Sequence, residues 1–263
     1  LYLNYNSSED PIMAFAYTTS TQASGFNQAT LVSFIDGIMV TDLGFTQVDS
    51  YVATDNFTVY SYATSGNAKG TFIVRVQVSP TQISMVAYDT WNSGTHTGTS
   101  ATSASTLSWS NATSVVADKF IGAEGRFAIF TNNSNRVTCG YVKPATISTT
   151  TWPESTYRHC YLPAGVNMGT MYASVGPASA SSYLMNSLNL TSLAAATWAG
   201  TKRQVWGPKG LHNASAGAVG WFTDISETGL SGIAYGDIIQ ISAGVEEYFV
   251  VGASGNSAVV RIV

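Results

Sequence analysis

The side chains of this chain that could move protons are three histidines and a scatter of single carboxylates. Glycoside hydrolysis needs two carboxylates flanking one bond, yet Asp89, Asp118, Glu124, Asp224, Glu227 and Asp237 fall one at a time along the sequence. Asp224 and Glu227 would share one side of a turn or short helix, where capping or solvation is the ordinary job for a carboxylate. His96, His159 and His212 lie in distant segments, so a triad or metal site would need all of them to converge. Surface or hydrogen-bonded histidines are the simpler reading. A Gly-x-Ser-x-Gly nucleophile elbow is missing. The run Gly66-Asn-Ala-Lys-Gly70 lacks the Gly-Lys-Ser/Thr ending and following helix of a phosphate loop. The pattern predicts a non-enzymatic protein with no catalytic residues, no resident cofactor and no metal centre.

The aromatic residues are more suggestive. Trp91, Trp109, Trp152, Trp198, Trp206 and Trp221 fall near loops or strand ends. Tryptophans so placed stack on sugars, anchor protein interfaces or lid a core. Trp91, with Asn92 and His96 in the polar run 89–98, forms the first candidate patch for a ligand or partner, and Trp152 is the second. The two cysteines, Cys139 and Cys160, both sit in apolar, strand-like segments. A disulfide across antiparallel strands and two buried free thiols both fit that placement. Metal binding would need further soft ligands nearby, and the sequence has none.

Charge is the unusual feature of the composition. Asp, Glu, Lys and Arg make up 10% of the 263 residues, against about 25% in ordinary domains. Neutral Ser, Thr, Asn, Gly and Ala take their place. Such a surface costs less to desolvate, which suits a protein covered by copies of itself or by partners. The net charge of −4, with Lys202–Arg203 the only adjacent basic pair, argues against nucleic-acid binding. No run of about 18 apolar residues is present, so no membrane span is expected. Met13 opens a stretch that reads like a translation start. Residues 1–12 are therefore expected to be an extension or processing remnant, or else an edge strand for a neighbour that uses Tyr2, Leu3 and Tyr5.

These residues must be held by elements whose periods are readable. Between Phe26 and Val40, Leu31, Phe34, Ile35, Ile38 and Met39 form the stripe of an amphipathic helix. Ser24 or Asn27 can cap it, and Gly44 should stop it. Thereafter the period changes to two, predicting strands at 45–52, 56–63, 71–79 and 82–89. Residues 71–89 read as a hairpin at the sheet centre. The Thr/Ser/Gly run 92–105 reads as a surface loop. Strands resume at 106–110, 126–131 and 136–143, while 182–196 reads as a short helix or an edge-covering loop. A C-terminal meander at 237–241, 247–251 and 258–263 closes the chain. The fold expected is mainly β, antiparallel sheets in a sandwich or meander, with one N-terminal amphipathic helix packed on a sheet. Its organisation is an extension at 1–12, a helix-plus-β domain at 13–162 and an irregular segment with the meander at 163–263, the last either separate or part of the same domain.

Several segments resemble structural proteins of tailed bacteriophages. Met13-Ala-Phe-Ala-Tyr-Thr-Thr is similar to their start, as is the single helix leading into Leu43-Gly-Phe-Thr. Tyr88-Asp-Thr-Trp-Asn-Ser-Gly-Thr-His-Thr-Gly-Thr99 and the closing strands from Gly236 to Ile262 are similar to further pieces of them. The stretch 144–215 has no counterpart. The resemblance carries no catalytic residues. It implies a virion protein of the neck, tail or particle surface, assembled with copies of itself and other virion proteins. Two rival readings are a carbohydrate- or receptor-binding β module, with a host-surface glycan as partner, and a subunit of an extracellular filament.

Overall fold

The structure, a computed structural model, describes residues 14–52, 56–63, 71–79, 81–88, 90–99, 101, 104–108, 114–122, 125–132, 135–142, 157–161, 170–175, 183–186, 206–213, 217–228, 230, 232–242, 244–252 and 257–263. Between 157 and 224 the description is of the backbone. In chain order, β1 (Ala16–Gln22) precedes α1 (Gln28–Asp36). Then come β2 (Thr46–Tyr51), β3 (Phe57–Ala63), β4 (Thr71–Ser79), β5 (Gln82–Tyr88), β6 (Thr90–Asn92), β7 (Thr97–Thr99) and β8 (Ser105–Ser108). After them run β9 (Val115–Ile121), β10 (Arg126–Asn132), β11 (Asn135–Tyr141), β12 (Tyr157–Tyr161), β13 (Thr170–Val175) and β14 (Tyr183–Asn186). The chain finishes with β15 (Trp206–Asn213), β16 (Gly217–Thr228), β17 (Ile238–Ser242), β18 (Glu246–Gly252) and β19 (Ser257–Arg261).

The protein is mainly β, its described sheets antiparallel, with a single short helix among the described residues. Asn27 caps that helix. Its Oδ1 accepts from the Thr30 amide at 2.9 Å, and Thr30 Oγ1 accepts from the Asn27 amide at 3.0 Å, a reciprocal capping box. At Gly37 the α-helix widens into a π-helical turn, Gly37–Asp42, closed by the Leu43 amide on the Ile38 carbonyl. Gly44, at φ +72°, turns the chain out. Leu31, Ile35, Ile38, Met39 and Leu43 are all buried. Phe34, expected in the same stripe, is only partly buried and meets Phe130 edge-on.

Five strands in the order β2-β3-β4-β5-β8 make one sheet, with β4 at its centre. A second sheet, β1-β9-β10-β11, packs its face against the first. Helix residues Leu31, Ile35 and Met39 join Tyr60, Val74, Val76, Ile83 and Met85 of the five-stranded sheet in one core. Ala117, Ala128, Phe130, Val137 and Cys139 of the second sheet complete that core. The opposite face of the second sheet is covered too. Phe120 stacks on Phe127 at 4.7 Å and meets Phe249 of β18 edge-on at 5.1 Å, while Tyr17 lies 4.8 Å from Phe249. The four-stranded sheet is thus a middle layer. Strands with both faces buried lose their alternation, as Phe127-Ala-Ile-Phe130 does.

The third layer belongs to an eight-stranded sheet, β12-β13-β14-β15-β16-β19-β18-β17. Within it β12 pairs with β13, joining residues on both sides of position 162. The C-terminal meander forms as the alternation predicts. Three expectations differ from what is found. β14 occupies part of the stretch read as helix or loop. Asp224 and Glu227 lie in the long strand β16 rather than on a turn or helix. β7 and the start of β8 fall within the run 92–105, where a surface loop is expected. Residues 1–12 lie outside the described residues.

Gly140 sets a limit on how closely β10 and β11 can pair. It has φ +133°, and a Cβ there would overlap the Arg126 carbonyl oxygen. Gly25 also has a positive φ, +81°, but faces open space. We expect Gly140→Ala to cost about 2–4 kcal/mol and Gly25→Ala about 1–2 kcal/mol. Urea unfolding of the two variants would read the difference, and equal losses would refute this account of β10–β11.

Candidate ligand and partner site

The outer face of the five-stranded sheet, away from the helix, carries a cluster of aromatic side chains. Strand alternation puts Asp49, Tyr51, Phe57, Arg75 and Tyr88 there. Asp49 pairs in register with Val59, Val59 with Arg75, and Arg75 with Val86, so these residues form one row across four strands. A register shift between Gln47 and Asp49 marks a bulge in β2 just before the carboxylate.

The β6–β7 hairpin folds back over this face. Nothing in its Thr/Gly/Ser composition supplies a core. Two side chains fasten it instead, both on one oxygen of Asp49. Trp91 Nε1 donates to Asp49 Oδ2 at 2.7 Å, and His96 Nδ1 lies 3.0 Å from the same oxygen. The Asp49 side chain is 6% exposed and that of His96 35%. Trp91 meets Phe57 and Tyr88 edge-on at 5.7 and 5.1 Å. His96 packs against Tyr51 at 4.3 Å, and the Arg75 guanidinium lies 5.5 Å from the Phe57 ring centre.

Backbone detail makes this closure work. The turn ends at His96 with φ +55°, which swings the imidazole back toward the sheet. Asn92 Oδ1 accepts from the Gly94 and Thr95 amides at 2.9 and 3.2 Å. Gly98, paired with Trp91, must lack a side chain because a Cβ there would overlap the Tyr88 ring. The result is a rim of three partly exposed rings, Tyr51, Trp91 and His96, around buried Phe57. No protein-family model matches this chain, and no curated protein matches it in sequence.

Burial by itself would raise the Asp49 carboxyl. The hydrogen bonds from His96 and Trp91, with the His96 charge and the Ser50 amide, outweigh that and hold it below the usual carboxylate value. Bonding at Nδ1 leaves Nε2 as the polar atom His96 can offer outward. An Asp–His pair is part of a hydrolytic triad. Among the described residues no serine or cysteine hydrogen-bonds to that imidazole to complete one.

The structure brings together Trp91, Asn92 and His96 from the sequence-derived candidates. Asn92 serves the turn with its carbonyl oxygen, which keeps its amide nitrogen in a fixed, exposed position. Trp152, Asp89 and Glu124 lie outside the described residues, as do the side chains of His159, His212 and Cys160. Cys139 is a buried free thiol whose pKa is pushed up by burial. Among the described residues no cluster of His, Cys, Asp or Glu is suited to hold a metal ion, and no helix is long and apolar enough to cross a membrane. Asp49, Tyr51, Phe57 and Arg75 escaped the sequence reading. The signal available was a lone Asp in the middle of a strand.

A group whose folded pKa is depressed stabilises the fold above its unfolded pKa and stops doing so as pH falls through the folded one. Asp49→Asn should therefore unfold more easily than wild type at neutral pH. That gap should close below about pH 4, the ordinary aspartate range. Unfolding midpoints for both proteins across that range test it; a gap that persists undiminished in acid would contradict the role given to the ionised carboxylate.

Proposed function

We propose that this protein is a structural component of a phage particle, assembling through neutral β surfaces with copies of itself and other virion proteins. The observation that supports assembly is the state of the sheet edges. β2 ends the five-stranded sheet and β17 the eight-stranded one among the described residues. Soluble proteins guard such edges with lysine, proline or cover, because unpaired N–H and C=O groups invite another chain. β17, Ile-Ile-Gln-Ile-Ser, has neither charge nor proline, and only the register shift between Gln240 and Ser242 interrupts it. Ile238 and Ile241 are 41% and 42% exposed, and Val245 beside them 64%. On β2, Val48 is exposed, and Val52 just beyond the strand is 71% exposed. Apolar side chains around an unguarded edge suit contact with another subunit.

The particle itself is supported by the phage-like segments described in the sequence, several of which fall on defined elements: α1 with its π-helical extension, the β6–β7 hairpin and the β17–β19 meander. A virion location follows from the same reading.

Two measurements test the proposal. Mass spectrometry of purified virions should find the chain at a fixed copy number. Analytical ultracentrifugation should find an oligomer that Ile238→Lys with Ile241→Lys dissociates while the circular dichroism stays unchanged. A protein that is monomeric at tens of micromolar, and absent from virions, would overturn it.

A further inference from the structure

We infer that the rim of Tyr51, Trp91 and His96 is a binding site for neutral saccharide rings. The inference goes beyond the assembly role and rests on different residues from the β17 edge. Sugar recognition needs flat rings for the C–H face of the ligand and fixed polar groups for its hydroxyls. Both are present at the hairpin tip.

The rings come first. Trp91 has its indole nitrogen taken by Asp49, so it offers the solvent only its π surface. Tyr51 and His96 lie 4.3 Å apart at a 36° tilt and are held from below by Phe57. Their rotamers are fixed before any ligand arrives, which removes the side-chain ordering cost that weakens binding at flexible surfaces. The polar groups are equally fixed. His96 Nδ1 is bound by Asp49, leaving Nε2 for the ligand. The Asn92 carboxamide is locked by its two backbone bonds and presents its NH2 to solvent. Exposed hydroxyls of Thr95 and Thr97, 2.8 Å apart, flank them.

Charge selects the ligand class. Beneath the rings sits the Asp49 carboxylate, which disfavours an anion. The nearest cation in the row, Arg75, is engaged with the rings of Phe57 and Tyr88. Any positive charge on His96 is already paired with Asp49, so an acidic or sulfated sugar would meet no unpaired cation in this row. A neutral hexose or amino-acetylated hexose meets no such penalty.

The test uses the full chain on a glycan array, followed by saturation-transfer NMR with the methyl glycosides that bind. Neutral glycans should bind, and sialylated or sulfated ones should not. Tyr51→Ala should weaken binding about tenfold, the loss of roughly one ring contact, whereas Tyr51→Phe should stay within about twofold. His96→Asn keeps a residue tolerant of positive φ while deleting the ring, and should also cost about tenfold. It decides the matter should Tyr51→Ala fail to fold. An array silent for neutral glycans, a preference for acidic ones, or binding indifferent to both substitutions would overturn the inference. None of these outcomes bears on whether virions contain the chain, so the two proposals fail separately.

Discussion

Burying both faces of the middle sheet obliges the protein to find partners for the charges in its first long strand. β9 carries Asp118 and Lys119 side by side, and they are 6% and 7% exposed. An unpaired ion in such a place would cost several kcal/mol, roughly the stability of a small domain. Adjacent strand residues point to opposite faces, so the two charges cannot neutralise each other. Each face supplies its own answer. On the helix side, Lys119 Nζ reaches Asp42 at 2.8 Å, at the end of the π-helical turn, and Ser20 of β1 at 2.8 Å. On the far side, the hydroxyls of Tyr17 and Tyr235 both donate to Asp118. Burial, and then the Asp118 charge, push both phenols well above their ordinary pKa, so they stay protonated as donors. Arg136 lies 4.9 Å over the Tyr235 ring and brings a positive charge to the same face.

Those contacts tie distant pieces of chain together. Tyr17 comes from the first described strand, Asp118 from the middle and Tyr235 from the segment before β17. The backbone adds to this, with the Phe15 amide donating to the Arg261 carbonyl at 2.8 Å. The layers are held by aromatic packing, and the polar bonds decide how they register. Asp49 repeats the device on a smaller scale, where one carboxylate with two nitrogen donors fastens a hairpin too polar to pack by itself. In both places an aromatic side chain carries the donor, Tyr in one and Trp in the other, so a single residue supplies apolar contact and the hydrogen bond.

The same physics governs which parts of the structure could be read from sequence. β3, β4, β5 and the closing meander were legible because alternation or β-branched runs continue to their ends. The helix was legible from its stripe, and Asn27 and Gly44 do the capping and stopping their positions suggested. β9 was not recognised, since Asp-Lys in its centre breaks the apolar run expected of a doubly buried strand. Only the tertiary partners Tyr17, Tyr235 and Asp42 make it possible. The hairpin escaped for a related reason: residues 92–99 contain no apolar pattern at all, and the ring anchors that hold it down are met only across a gap of some forty residues in the chain, at Asp49. Of the candidate site, Trp91 and His96 could be named from residue type. The carboxylate that joins them could not, because a lone Asp in a strand looks like a solvated edge.

Placing ions inside also changes what is left outside. The chain begins with few charges, at 10%, and the structure then withdraws some of them. Asp118 and Lys119 are buried within the middle sheet, the Asp49 side chain lies under the hairpin, and Arg75 is engaged by two aromatic rings. Among the described residues the exterior is therefore poorer in charge than the composition implies. Hydroxyl, amide and small apolar groups face the solvent, and they lose little on being covered. Interior charge used for registering layers, and a neutral exterior available for contact, are two consequences of one choice. Strands buried on both faces spend the few ions on internal alignment, and the outer sheets are left with edges and faces that another surface can cover at low cost.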